Sequence, residues 1–164
     1  MKTTQTGLNL IKHFEGLHDG DMTKIGLQPK MDPIGIWTEG YGRAMRDKKG
    51  NFIKGAENKK LALSNATIST ELEATEALAK DVRVFENIVA RKIKIDLKAN
   101  EFDALVSYTY NTGGSDTLFS LINKNASKEE IHKWFTTKYI SAGGIKLKGL
   151  IERRRLEAKL FFNQ

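Results

Sequence analysis

The sequence predicts an α+β fold, on three observations. A short amphipathic segment comes first, a glycine-rich stretch at about 17–60 follows, and from about residue 70 the apolar period is helical to the end. Elements segregated in this way form a small antiparallel sheet lobe set against a larger helical lobe, not alternating βαβ units. The chain of 164 residues is expected to be one domain, with about 3–15 and 70–164 in the helical lobe and about 17–60 in the β lobe. Two lobes that share a core leave a cleft at their junction, where an extended ligand can lie.

Each element has a local cause. Leu8, Ile11 and Glu15 stand at i, i+3 and i+7 with Phe14 beside them, one face of a helix that Gly16 ends. Gly20, Gly26, Gly35, Gly40, Gly42, Gly50 and Gly55, with Pro29 and Pro33, then cut the chain into short apolar runs, the pattern of small strands and turns. Asp47-Lys48-Lys49-Gly50-Asn51 reads as a hairpin turn. Thr70 and Glu73 form a capping box, after which Leu72, Thr75, Leu78, Val82, Phe85 and Val89 trace one helical stripe. A second helix carries Phe102, Leu105, Val106, Thr109 and Tyr110 and stops at Asn111-Thr112-Gly113-Gly114. Ser127 with Glu130 opens a third, bearing Ile131, Trp134 and Phe135. Gly143-Gly144 breaks the chain, and a last helix runs from about Gly149 to Phe162, its Phe161-Phe162 end packing into a core, not onto a membrane.

Composition narrows the function classes. With 27 Lys+Arg against 20 Asp+Glu the chain carries +7, placed as +4 over residues 1–60, −2 over 61–111 and +5 over 112–164. Such an excess favours a polyanionic partner: nucleic acid, an anionic membrane face or the bacterial cell wall. No helix-turn-helix spacing, zinc-finger ligand set or basic run interleaved with aromatics is present, so nucleic acid is not expected. The absence of cysteine excludes disulfides, thiolate catalysis and cysteine-based zinc sites. No apolar run reaches the length of a transmembrane helix, and Met1 to Phe14 alternates polar and apolar residues, unlike a secretory signal. A soluble protein made in a cytoplasm is expected.

Few residues could carry chemistry. Glu15 lies on the apolar face of its helix, where partial desolvation favours the protonated carboxyl that a general acid needs. The alternative is a structural pair with one of Arg153-Arg154-Arg155. Glycoside hydrolysis requires a second carboxylate, and Asp19, Asp21 and Asp32 all follow in the loop region. Taken singly each is a turn residue as readily as a catalyst, so the residues alone leave the choice open. His13, His18 and His132 lack metal-ligand spacing, the serines lack a nucleophile elbow, and Gly35–Gly42 lacks the Lys-Ser/Thr of a phosphate loop.

Three blocks in order resemble one family. They are Phe14-Glu15-Gly16-Leu17 with Asp32-Pro33-Ile34-Gly35-Ile36-Trp37-Thr38-Glu39-Gly40-Tyr41-Gly42-Arg43; Asn100-Glu101-Phe102-Asp103-Ala104-Leu105-Val106-Ser107 followed by Asn111 and Gly113; and Gly149-Leu150-Ile151-Glu152-Arg153-Arg154-Arg155-Leu156-Glu157. Together they resemble the phage-type lysozymes, the T4-lysozyme-like endolysins of glycoside hydrolase family 24. The resemblance implies a two-lobed lysozyme fold and inverting hydrolysis of the β-1,4 bond between N-acetylmuramic acid and N-acetylglucosamine in peptidoglycan. It implies Glu15 as general acid, Asp32 and Thr38 as the holders of the attacking water, and neither cofactor nor metal. Asn111, at a helix end, would either contact substrate or cap the helix. The implied partner is the glycan strand of the wall. The implied life cycle is that of a monomer held in the host cytoplasm until a separate pore-forming protein releases it to the periplasm and cell wall.

One departure stands out. Sixteen residues separate Glu15 from Asp32, more than in many relatives, and the segment from His18 to Met31 lacks the Tyr that often precedes the Asp. Asp19 and Asp21 therefore rival Asp32, which is favoured because Thr38 and the Gly40-Tyr41-Gly42 turn stay in register with it. Two other functions share the motif set: a lytic transglycosylase, which forms a 1,6-anhydro product without water, and an inactive wall-binding protein.

Overall fold

Helix α1 (Gln5–Glu15) opens the chain in the computed structural model, which describes residues 1–163. Thr4 precedes the helix, with Thr6 N donating to Thr4 Oγ1 at 3.2 Å, and is anchored by Asp103, 1% exposed, which accepts from Thr4 N at 2.8 Å and from Thr4 Oγ1. A carboxylate at this end also complements the helix dipole. The chain then divides into two compact units, Met1–Phe14 with the chain from Val82 on, and Glu15–Asp81.

The unit Glu15–Asp81 contains a three-stranded antiparallel sheet in the order β1 (Lys30–Met31), β2 (Trp37–Glu39), β3 (Arg43–Ala44). Thr38 pairs with Lys30 on one side and Ala44 on the other, and the bridges Ile36–Lys54 and Arg46–Phe52 extend the pairing. The sheet is small because its core is small: Trp37, Met45, Ile53 and Ala62, with the Trp37 indole N–H donating to Gly55 O at 2.8 Å. Asp47 makes the expected turn, accepting from Lys49 N and Asn51 N. A short 3-10 turn (Ala56–Asn58) and helix α2 (Lys59–Asn65) were not marked by any long apolar period.

Helix α3 (Glu71–Lys92) begins at the expected box, with Glu73 N donating to Thr70 Oγ1 at 3.2 Å and Thr70 N to the Glu73 carboxylate at 3.0 Å. Its apolar stripe is the expected one at Leu78, Val82 and Val89, all buried, and differs at its start. Leu72 is 71% exposed, and the first turns bury Ala74 and Ala77 instead. A Cβ built on Gly40, at φ +58°, would lie 3.3 Å from the Ala74 methyl, so the helix approaches this turn through small residues that a search for large apolar ones passes over.

The other unit is helical: α4 (Ala99–Thr112), α5 (Asp116–Asn123), α6 (Lys128–Thr137) and α7 (Lys148–Phe162). Helix α4 buries every residue from Phe102 to Thr109, which marks it as the central helix, and it packs chiefly on α7. Ser127 and Glu130 cap α6 as expected. Phe161 is buried with its ring on Phe135, in line with the core reading of that end. Helix α5, capped by Ser115 accepting from Leu118 N, was not anticipated. Nor was a second sheet: Gly143-Gly144 is no simple break but the turn of a hairpin joining β4 (Ser141–Ala142) to β5 (Ile145–Lys146). Both glycines have positive φ, the geometry of a tight two-residue hairpin, and the strands are exposed on both faces, so no alternation announced them. Among the described residues no helix is long and apolar enough to cross a membrane.

Candidate active site

Glu15 is the last residue of α1 and is half-buried. Gly16 takes φ +71° and turns the chain, so that His18 N reaches Gly40 O at 2.8 Å. From there residues 19–29 form a loop, tied to the segment before α3 by Leu27 N donating to Ser69 O at 2.8 Å. Asp19 Oδ1 accepts from Asp21 N at 3.1 Å and Gln28 N at 3.2 Å, while Gly20 N donates to Gln28 O at 2.9 Å. The strands of the loop cross so closely at Gly20 that a Cβ there would sit 2.0 Å from Pro29 O. Asp21 accepts from Thr23 N and from Thr23 Oγ1 at 2.6 Å, bonds that hold its carboxyl below the usual carboxylate range. Both aspartates thus organise the loop.

Asp32 is placed differently. Its Oδ1 accepts from Ile34 N at 3.0 Å and Ile36 N at 2.8 Å, while its own N–H donates to Ile36 O at 2.8 Å, a turn that feeds β2. Both backbone donors use the same oxygen, so Oδ2 keeps its acceptor capacity among the described residues.

Thr38, six residues on, is 4% exposed in the middle strand. Its Oγ1 lies 2.9 Å from Lys30 O and 2.7 Å from His18 Nδ1. A carbonyl oxygen cannot donate, so the single hydroxyl hydrogen goes to Lys30 O and the His18 ring donates through Nδ1–H. Thr38 Oγ1 then has one lone pair left.

His18 connects the carboxylates. Burial, then the Lys30 ammonium, lower its pKa from the usual 6.5, against the opposing pull of the Glu15 and Asp32 carboxylates. The ring is therefore neutral at pH 7, with the proton on Nδ1. Its Cε1–Nε2 edge lies over Gly42, where a Cβ would be 3.7 to 3.8 Å away. The structure thus bonds Thr38 to this imidazole, with the Glu15 and Asp32 carboxylates close enough to act on its charge. Sequence reasoning treated His18 only as a rejected metal ligand; the available signal was its place three residues beyond Glu15, just past the Gly16 turn.

Asn111 belongs to the other unit. It is exposed in the last turn of α4, and its Oδ1 accepts from Arg154 Nη2 at 2.9 Å. It is not the helix cap: α4 runs on to Thr112, and Gly113, left-handed at φ 80°, closes the helix with its N–H on Thr109 O.

Comparisons with known proteins bear on the family and the fold. The family model described as phage lysozyme matches residues 12–157. The endolysin of Bacillus phage B103 is 29% identical over 165 residues, covering 98% of this chain and 54% of that protein. The endolysin of Acyrthosiphon pisum secondary endosymbiont phage 1 is 28% identical over 168 residues, covering 98% of each. The chain thus spans about half the length of the Bacillus phage relatives it matches and nearly all of the other. The solved endolysin from Escherichia coli O157:H7 phage FAHEc1 superposes with a TM-score of 0.73 at 29% identity, covering 99% of this chain and 94% of that one. The match runs from within α1 into α7 and takes in Glu15, His18, Asp32 and Thr38; the chain belongs to the phage lysozyme family.

Proposed function

We propose that this chain is an endolysin muramidase, a glycoside hydrolase that cleaves the β-1,4 bond between N-acetylmuramic acid and N-acetylglucosamine in peptidoglycan and so lyses the host cell. One observation carries the proposal: the Asp32 carboxylate and the buried Thr38 hydroxyl, six residues apart in the turn and strand that follow Glu15, each keep an acceptor in reserve. That set holds the parts of an inverting glycosidase, an acid for the leaving oxygen and a separate carboxylate for water.

The hydrogen-bond inventory assigns the parts. Asp32 Oδ2 and the remaining lone pair of Thr38 Oγ1 are both acceptors, and a water has two hydrogens to give. A water donating to both turns its own lone pair outward, toward the anomeric carbon. Asp32 takes the proton as the bond to carbon forms, and Glu15 gives its proton to the departing sugar oxygen. No metal or organic cofactor enters this scheme. Asn111 is assigned a substrate contact, with the Arg154 bond fixing its amide so that the NH2 group can donate to a sugar. The remaining assignments follow the family reading: a monomeric single domain acting on the glycan strands, held in the host cytoplasm until a pore-forming protein releases it.

Glu15→Gln tests the acid directly. The variant should fold with an unchanged melting temperature and lose about a thousandfold in the clearing rate of outer-membrane-permeabilised cells, the scale of a lost general acid. Clearing at the native rate would overturn the assignment.

A further inference from the structure

We propose that His18 is a positioning residue for hydrolysis: through Nδ1–H it fixes the Thr38 hydroxyl as an acceptor for the attacking water. The inference rests on the muramidase reading and adds a component to it.

A threonine hydroxyl is ambiguous by itself, because its hydrogen can rotate toward any neighbouring acceptor. An attacking water needs the opposite of a donor at this point. If Thr38 donated to the water, one of the water's lone pairs would be occupied and one of its hydrogens left without an acceptor. Two bonds remove the ambiguity. Lys30 O, 2.9 Å away, can only accept, and it draws the hydroxyl hydrogen. His18 Nδ1, 2.7 Å away, occupies one of the two lone pairs. What remains on Oγ1 is one lone pair in one direction.

The second bond has the needed polarity only while Nδ1 carries hydrogen. If the ring were the other neutral tautomer, Nδ1 would compete with Lys30 O for the hydroxyl hydrogen, leaving one of the two contacts without a proton. Lys30 O, an acceptor that cannot titrate or rotate away from β1, therefore selects the His18 tautomer through Thr38. The His18 main chain is fixed by its N–H on Gly40 O at 2.8 Å, and the ring lies with its Nε2 edge over Gly42. The groups facing it are Glu15 at the end of α1, Lys30 on β1 and Asp32 in the turn before β2. Among the described residues no side chain bonds Nε2, so the ring hands its proton to no protein group and acts through Thr38.

Asparagine places an amide nitrogen where histidine has Nδ1, whereas glutamine reaches the position of Nε2. The test measures kcat and KM on soluble, uncrosslinked glycan strands for the native chain, His18→Ala, His18→Asn, His18→Gln, Thr38→Val and the double variant His18→Ala/Thr38→Val, with melting temperature read for each. His18→Ala should lower kcat about tenfold to a hundredfold, the scale of a misplaced reacting group, with KM little changed. His18→Asn should recover most of that loss and His18→Gln little of it. The double variant should be no slower than Thr38→Val, because both changes remove one device. Native kcat in His18→Ala, equal recovery by Gln and Asn, or losses that multiply in the double variant would each overturn the proposal. A native chain that cleaves no strands would instead overturn the muramidase reading, and this inference with it.

Discussion

The molecule contains two clusters of charge around a glutamate, and they are built oppositely. In the helical unit, Glu157 of α7 is fully buried and its charge is matched by two guanidiniums: Oε1 accepts from Ser107 Oγ at 2.8 Å, Arg153 Nε at 3.3 Å and Arg154 Nη2 at 3.1 Å, and Arg154 Nε forms an ion pair with Oε2 at 2.9 Å. Burial pushes Glu157 up and the two guanidiniums pull it back. In the sheet-bearing unit, Glu15, His18 and Asp32 are half-buried, and acceptors are left over: Asp32 Oδ2 and one lone pair of Thr38. A cluster sealed from water with its charge matched by buried counter-ions holds a fold together, and a half-buried one that keeps acceptors in reserve has a place for a reactant.

Perturbing each cluster should therefore damage a different property. The largest effect is expected from Glu157→Ala, which strands Arg153 and Arg154, both at most 4% exposed. Unfolding free energy from urea titration should fall by about 3–5 kcal/mol while activity per folded molecule stays near native. Asp32→Asn should do the reverse. Its amide oxygen can keep the bonds from Ile34 N and Ile36 N, so stability should hold while turnover drops at least about a hundredfold, as for a lost general base. Thr38→Val lies between, because it removes partners from Lys30 O and from His18 Nδ1; a loss of about 1–3 kcal/mol should accompany the loss of turnover.

The smallest effect is a pH dependence. His18 is more readily deprotonated folded than unfolded, so below its ordinary pKa of 6.5 the unfolded chain binds more protons. The stability tied to the neutral ring is complete above 6.5 and is lost as the pH falls through that value toward the lower folded pKa. Lys30 adds to the effect and Glu15 and Asp32 oppose it. The melting temperature of the native chain should fall more on acidification across 6.5 than that of His18→Asn, and equal slopes would remove His18 as the cause.

The two clusters also differ in how far the sequence revealed them. Long helices with regular stripes were legible, as were the boxes at Thr70–Glu73 and Ser127–Glu130, because their causes lie within a few residues. Glu15 stood out as a carboxylate on an apolar face. His18 did not, because its role depends on a strand twenty residues away and on the carbonyl of Lys30 across that strand. The hairpin at Gly143-Gly144 and the Ala74–Gly40 contact escaped for a related reason: exposed two-residue strands carry no alternation, and alanine carries little hydrophobic signal. The long spacing between Glu15 and Asp32 had left Asp19 and Asp21 as rivals, and both prove to be hydrogen-bonded to the loop that carries them.

The central claim is that this site adds water to a glycosidic bond from a pair of acceptors on Asp32 and Thr38. It is tested most directly by digesting peptidoglycan in heavy-oxygen water and weighing the released muropeptides. The account predicts hydrated reducing ends carrying one heavy oxygen at the anomeric carbon of N-acetylmuramic acid, formed with inversion. Unlabelled 1,6-anhydro ends, lighter by one water, would contradict it and make the chain a lytic transglycosylase.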